Sequence, residues 1–174
     1  MTEGPEAYVD RISSYVGKRS PLQILRATPK ALEKRIAGVS RRQLMTPSER
    51  GRWSAGQILA HLSESELLWG YRIRTILERD GATIAGMDQD AWARNSHYER
   101  IDPRQSLALF QALRRANVAL IQGLSPRALG RHGKHSAFGR LTVSWIARLL
   151  AGHDINHARQ IGALLKKETA RARA

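Results

Sequence analysis

The chain has 174 residues, of which 42% are hydrophobic and 25% are charged, and these proportions are those of a globular protein. The length allows one compact domain over residues 1–174 and is too short for two domains of ordinary size. No stretch of about 18 apolar residues could cross a bilayer, and residues 1–7 lack the features of a secretory signal, so we expect a cytoplasmic protein. The absence of cysteine excludes disulfides, thiolate ligands and a cysteine nucleophile, so thiol chemistry would need an external thiol.

The charge balance is strongly basic. The chain carries 29 Lys and Arg residues against 15 Asp and Glu residues, a formal net charge of +14. Such a charge favours polyanions or anionic substrates as partners. The basic residues are scattered, with no dense block and little aromatic interleaving, so we interpret most of them as solvated helix faces. Nucleic-acid binding is therefore disfavoured but stays open as an alternative.

Apolar residues recur at three- and four-residue steps and strand-like alternation is missing, so the sequence predicts helices throughout. Capping residues and prolines mark the starts, and glycines mark several ends. A short helix is predicted over 5–16, followed by a turn of helix over 21–27 and a helix over 29–38. Three longer helices follow, from the N-cap Ser54 to about Arg79, from Asp102-Pro103 to Gly123, and from the N-cap Thr142 to about Lys167. Four main helices with apolar stripes predict a four-helix bundle, with the polar connection 82–102 packed on it and shaping a pocket mouth.

Three histidines are the candidate functional residues. His153 and His157 are four residues apart, which puts them on one helix face, where two imidazoles can hold one divalent ion. Apolar residues share their spacing, so the pair lies on the core-facing stripe of its helix. His61 also lies on an apolar stripe and could supply a third ligand across a helix interface. Three neutral imidazoles with open positions are typical of a catalytic metal site, although histidines at helical spacing also arise by chance.

Several short motifs connect the chain to a known family. They are Thr28-Pro29, Trp53-Ser54, His61-Leu62 with Glu66 and Arg72 after it, Trp92-Ala93, His135 to Gly139, and Gly152-His153-Asp154 with His157 and Gln160-Ile161 after it. In these motifs, their order and their spacing, the chain resembles the DinB family, the DinB/YfiT-like superfamily of metal-dependent bacterial enzymes. The resemblance covers nearly the whole chain.

This resemblance implies a four-helix bundle of the DinB/YfiT-like type, in which His61, His153 and His157 hold zinc, nickel or a related divalent ion. Characterised members include transferases and isomerases that use low-molecular-weight thiols such as bacillithiol or mycothiol. The leading expectation is therefore a thiol-dependent S-transferase, or a related transferase or hydrolase, acting on a small electrophile. A non-catalytic metal-binding stress-response protein and a nucleic-acid-binding module are the alternatives. Members commonly pair, so a homodimer is also expected.

For several other polar and aromatic residues the sequence predicts supporting roles. Asp154 points away from the histidine pair on an ideal helix, so we expect it to cap or to form a salt bridge rather than to bind metal. Glu66 is expected to be a salt-bridge partner within the bundle. His135 is the candidate accessory catalytic residue, because a loop could carry it to the end of the bundle, with a surface histidine as the alternative. Three tryptophans are expected to pack in the core or else to line the pocket: Trp53, Trp69 and Trp92.

Overall fold

Helices form most of the structure, a computed structural model that describes residues 4–171. Residues 1–3, on which the expected lack of a secretory signal partly rests, and residues 172–174 lie outside the described part. The described helices are α1 (Pro5–Val16), α2 (Pro21–Ile36), α3 (Arg41–Met45), α4 (Ala55–Glu78), α5 (Gln89–Asn95), α6 (Pro103–Gln122), α7 (Pro126–Leu129) and α8 (Val143–Arg171). The strands are β1 (Ala82–Ile84), β2 (His132–His135) and β3 (Gly139–Thr142). Within the described residues, no helix is long and apolar enough to span a membrane.

The long helices α2, α4, α6 and α8 form the predicted four-helix bundle. Each contacts two neighbours in the cyclic order α4, α6, α2, α8, and α1 packs on α8. Their apolar stripes meet in the interior, where Leu32, Leu59, Phe110, Ile146 and Ile161 are fully buried. The functional consequence is that inward-facing side chains of α4 and α8 lie opposite one another.

The predicted starts of the three longest helices are confirmed by their caps. Ser54 and Gln57 form a capping box, in which the Ser54 hydroxyl accepts from the Gln57 N–H at 3.2 Å and the Gln57 amide oxygen accepts from the Ser54 N–H at 2.9 Å. Asp102 accepts from two N–H groups at the start of α6, and Thr142 accepts from the Trp145 N–H at 3.1 Å. Each cap satisfies a donor that has no partner in its own helix and contributes about 1 kcal/mol.

The predicted break between residues 27 and 29 is wrong, because α2 runs through Pro29 without interruption. A proline in a helix lacks the N–H that would bond the carbonyl four residues earlier, here that of Leu25. Arg114 of α6 supplies the missing donor, since its Nη1 donates to the Leu25 carbonyl oxygen at 3.1 Å. A side chain from another helix thus satisfies the carbonyl that Pro29 leaves free. Nothing local in the sequence reveals this compensation.

The expectation of helices alone also needs correction. The segments between α4 and α6 and between α6 and α8 contain short helices and a three-stranded sheet. The strand order is β1-β2-β3, with β1 parallel to β2 and β2 antiparallel to β3. Each strand has only three or four residues, so its alternation of buried and exposed positions is too short to stand out from loop sequence. The pairing of Ile84 with His135 joins segments that are far apart in the chain.

Arg114 links all four bundle helices through a buried network. Its side chain is 2% exposed, and Nε and Nη2 bond a Glu66 carboxylate oxygen of α4 at 2.9 and 2.8 Å. Nη1 and Nη2 donate to the two oxygens of Asp154 of α8, at 2.5 and 2.9 Å. With the Leu25 carbonyl of α2, every N–H of the guanidinium has an acceptor. Burial alone would lower the pKa of Arg114, but Asp154 and Glu66 raise it above its ordinary value, so the guanidinium stays charged.

We predict that Arg114→Ala destabilises the protein by about 3–5 kcal/mol, because it leaves two buried carboxylates and a carbonyl without their donor. The free energy of unfolding, measured by urea titration, checks this. Arg115→Ala is the matched control, since Arg115 is exposed on the same helix and should change stability by less than about 0.5 kcal/mol. Equal losses in the two variants would contradict the role of the network.

Candidate metal centre

His61, His153 and His157 converge in the interior of the bundle. His61 belongs to α4, and the other two lie one turn apart on α8. The Nε2 atom of His153 is 3.0 Å from that of His61 and 3.1 Å from that of His157. One ring nitrogen from each of the three lies within 4.8 Å of the others. The spacing of the pair and the inward position of His61, expected from the sequence, therefore bring three imidazoles to one point.

Hydrogen bonding around the cluster leaves ring nitrogens facing one another. His157 Nδ1 donates to the Gln160 amide oxygen at 2.8 Å, so Nε2 of a neutral His157 presents a lone pair. His153 Nε2 contacts both neighbouring Nε2 atoms, and one proton can be directed along only one of these two contacts. The cluster therefore cannot satisfy itself with hydrogen bonds alone. A cation between three lone pairs would satisfy all of them, so the residues present fit a divalent ion with imidazole ligands.

The electrostatics of the cluster keep the imidazoles uncharged. Burial, with repulsion from His157, lowers the pKa of His61 to about 3. Burial also lowers the pKa of His157 to about 4, against the opposing effect of its bond to Gln160. The pKa of His153 lies well below its ordinary value, chiefly because of burial. All three rings are therefore neutral near pH 7, which is the form that binds metal.

A cavity of about 410 Å³ opens beside the cluster. His61, Ser65 and Leu68 of α4 face Leu150 and His153 of α8 across it. Its remaining walls come from α1, from the segment after β1 and from the turn between β2 and β3, through Tyr8, Gly86, Met87, Gln89, Ser136, Ala137 and Phe138. The expectation that the 82–102 connection shapes the pocket is thus confirmed for its first part. The size suits a small molecule.

His135 lies at the end of β2 rather than in a loop and is 7% exposed, so the surface alternative does not hold. It lines the same cavity as His61 and His153. Its Nδ1 accepts from the backbone N–H groups of Ala137 at 3.0 Å and Phe138 at 3.3 Å. Burial, together with the charge of Arg72, lowers the pKa of His135. The ring is therefore neutral with its proton on Nε2, a hydrogen-bond donor.

The other expected roles have mixed outcomes. Asp154 and Glu66 are salt-bridge partners of Arg114, as predicted, and belong to neither the cluster nor the cavity wall. Trp69 lines the cavity, whereas Trp53 packs against the His61 ring with centroids 5.1 Å apart. Trp92 lies apart from the cavity, beside Glu64 and Leu67.

Two arginines near the site were not predicted from the sequence to be buried. Arg114 and Arg72 are 2% and 4% exposed, respectively, although the basic residues were interpreted as mostly solvated. A signal was present, since Arg114 continues the stripe of Leu107 and Phe110 on α6. Arg72 likewise continues the stripe of His61, Ser65 and Leu68 on α4. An arginine on an apolar stripe is thus a sign of a buried polar role.

The fold and the site together define a helical-bundle protein with a three-histidine cluster at a small-molecule cavity. The model of the DinB superfamily matches residues 24–161, and the chain belongs to this superfamily. A relative from Oceanobacillus iheyensis is 26% identical over 140 residues, covering 80% of this chain and 81% of the relative. YfiT from Bacillus subtilis is 26% identical over 147 residues, covering 84% and 83%. Both relatives bear the name "putative metal-dependent hydrolase".

Solved structures show the same architecture. YfiT from Bacillus subtilis superposes with a TM-score of 0.79 at 24% identity, covering 97% of this chain and 91% of that one, and is described as having an unusual four-helix bundle topology. A mycothiol-dependent maleylpyruvate isomerase superposes with a TM-score of 0.67 at 10% identity, covering 82% of this chain and 59% of that one. At these identities the likeness establishes the fold alone. The expected bundle of the DinB/YfiT-like type is confirmed.

Proposed function

We propose that this protein is a metal-dependent enzyme that acts on a small electrophilic molecule, with His61, His153 and His157 as the ligands of a divalent ion. The observation that carries the proposal is the convergence of three neutral imidazoles, two of which, those of His61 and His153, line a cavity of about 410 Å³. Zinc and nickel both suit imidazole ligands. When bound, such an ion polarises a substrate carbonyl and lowers the pKa of a bound water or thiol.

The chain's own residues orient the ligands and shape the cavity. The Gln160 amide oxygen fixes the His157 ring, so that Nε2 faces the cluster. The Ser65 hydroxyl lies 3.4 Å from His61 Nε2 and borders the cavity, where it can hydrogen-bond to a substrate or a water. The side chains of Leu68, Phe138 and Leu149 make much of the wall apolar, which strengthens electrostatic interactions inside the cavity.

We assign His135 the role of a hydrogen-bond donor to the substrate. Because two backbone N–H groups occupy its Nδ1, the neutral ring offers only the Nε2 proton. A donor held in a cavity with largely apolar walls stabilises negative charge that develops on a substrate oxygen. The same tautomer argues against His135 as a general base or a fourth ligand.

A thiol cosubstrate is supported by one structural neighbour, which is a mycothiol-dependent enzyme. Because the chain has no cysteine, any thiol nucleophile would have to come from outside the protein. The names of the relatives favour hydrolysis instead, in which water takes the place of the thiol. Both reactions use the same ligand set and the same donor, so a screen must include both.

We predict that protein stripped of metal and reloaded with zinc or nickel binds about one ion per chain. His153→Ala should abolish this stoichiometric binding, and Gln160→Leu should weaken it about 10- to 100-fold by releasing the His157 ring. Elemental analysis and competition with a chelator give these values. His97→Ala is the control, because His97 is exposed and pairs with Glu99. Wild-type protein without stoichiometric ion, or His153→Ala binding as tightly as wild type, would refute the ligand set.

We expect metal-loaded protein to accelerate thiol addition to small electrophiles, or failing that ester or amide hydrolysis, in a panel that includes several low-molecular-weight thiols. Activity should disappear in His61→Ala, His153→Ala and His157→Ala. The activity of the wild type should survive moderate salt. Metal binding without any reaction across the panel would favour the non-catalytic alternative. Nucleic-acid affinity that falls steeply with salt and persists without the histidines would instead favour the alternative of a nucleic-acid-binding module.

With a substrate from this panel, His135→Ala should lower kcat about 10²- to 10³-fold, the effect of removing one donor to a developing oxyanion. Metal content should not change. His132→Ala is the matched control on the same strand, since its ring pairs with Asp80 at the surface. Loss of metal in His135→Ala would instead identify His135 as a ligand.

We also propose that the protein forms a two-fold dimer through an apolar surface. Leu67, Tyr71 and Leu109 are 54%, 68% and 50% exposed, and the first two lie one turn apart on α4. Light scattering at tens of micromolar should give twice the chain mass, and Tyr71→Glu should give the monomer. A monomeric wild type would contradict this assembly.

A further inference from the structure

Arg72 is a buried cation for which the described part of the chain provides no counter-ion. Its side chain is 4% exposed and borders the same cavity as His61 and His153. Among the described residues, no carboxylate lies within ion-pairing distance of its guanidinium. Burial lowers the pKa of Arg72 to about 10, which still leaves the group charged near pH 7. Arg114, by contrast, is buried against two carboxylates.

The hydrogen bonds of Arg72 are also incomplete. Nη2 donates to the Ala85 carbonyl oxygen at 2.5 Å, and the guanidinium lies over the Trp69 ring at 4.4 Å from its centroid. Nε is buried and has no hydrogen-bond partner, and among the described buried side-chain nitrogens and oxygens it alone lacks one. An unpaired buried charge with an unused donor is strongly unfavourable unless a ligand compensates it. The protein itself supplies only a carbonyl and an aromatic face.

We propose that Arg72 binds an anionic group of the substrate, a carboxylate or a comparable oxyanion, in the cavity beside the metal centre. A planar guanidinium matches the geometry of such a group and is the preferred side chain for this recognition. Much of the remaining wall is apolar, including Leu68, Leu149 and Leu150. The substrate is therefore a small molecule with an apolar body and one anionic end. This inference rests on the proposed function, since it names the class of substrate for the same cavity.

The positions on α4 determine how such a molecule lies. His61 and Arg72 are eleven residues apart, three turns along one helix face, and Ser65 and Leu68 lie between them. Their Cα atoms are thus about 16 Å apart along the axis, at a rise of 1.5 Å per residue. Long helical side chains lean toward the helix N-terminus, so Arg72 extends toward His61. The anionic end and the reacting bond therefore occupy different ends of the substrate, and Arg72 positions it without taking part in the chemistry.

The test compares two probes of the same shape, hydrocinnamate and its primary amide, by calorimetric titration of metal-loaded protein. The carboxylate should bind wild type about 10- to 100-fold more tightly than the amide, the value of a charge-assisted hydrogen-bonded pair. Arg72→Gln should abolish this preference with little effect on the amide. Arg74→Gln is the matched control, because Arg74 is exposed two residues later and donates to Gly70 and Asn117. It should keep the preference.

A further variant separates this inference from the metal centre. His153→Ala lacks a proposed ligand, yet it should still prefer the carboxylate, since the ion pair with Arg72 needs no metal. Equal binding of the two probes by wild type, or a preference that survives Arg72→Gln, would overturn the inference. A preference lost in His153→Ala but kept in Arg72→Gln would mean that the carboxylate binds the ion, which overturns the inference while leaving the proposed function intact.

If Arg72→Gln fails to fold, Arg72→Lys replaces it. This variant should reduce the preference for the carboxylate, because the ammonium lacks the planar fork of the guanidinium. An undiminished preference would overturn the inference.

Discussion

The guanidinium of Arg114 is the contact on which the geometry of the bundle depends. It lies on α6 and bonds α4 through Glu66, α8 through Asp154 and α2 through the Leu25 carbonyl. Replacing a whole buried ion pair with apolar residues is often neutral for stability, so the network is weak evidence of a net gain in stability, even though removing Arg114 alone would leave two buried carboxylates unpaired. Its donors are directional, however, and each helix can satisfy them in only one register. We infer that the network specifies how the four helices align, a property that apolar packing alone specifies less strictly.

The same network explains why the histidine cluster can form. Asp154 directly follows His153 on α8, and Glu66 lies little more than a turn after His61 on α4. Fixing the two carboxylates on one guanidinium therefore sets the relative height of the two helices at the level where the imidazoles meet. Asn117 adds to this by donating to the Glu66 carboxylate and to its backbone carbonyl, at 2.9 and 3.0 Å. A site built from several side chains needs each of them held closely, and here the supporting contacts lie one to five residues from the histidines.

The sequence predicted those features that depend on local rules. Helix starts with a capping residue were correct at Ser54, Asp102 and Thr142, because a cap acts within three residues of its own position. The histidine pair could be predicted because its two members are only four residues apart on one helix. The break at Pro29 was wrong because its compensation comes from Arg114, which is distant in the chain. The sheet was missed because its strands are short and because α5, α6 and α7 all lie between β1 and β2 in the chain. Helical periodicity could be predicted from the sequence, whereas long-range polar contacts could not.

Part of the positive charge has a structural role, although most of the described basic residues are exposed, as predicted from the sequence. Several exposed or half-buried arginines donate to backbone carbonyls of neighbouring segments. Arg148 bonds the Gly17 carbonyl after α1, Arg131 bonds that of Leu77 in the last turn of α4, and Arg104 bonds that of Val39 after α2. These carbonyls lie at or just beyond helix C-termini, where partners are lacking and the helix dipole favours cations. A guanidinium can satisfy several acceptors at once, so arginine connects helix ends over distances that a shorter side chain cannot span. Some of the basic residues therefore connect segments of the bundle in addition to carrying charge at its surface.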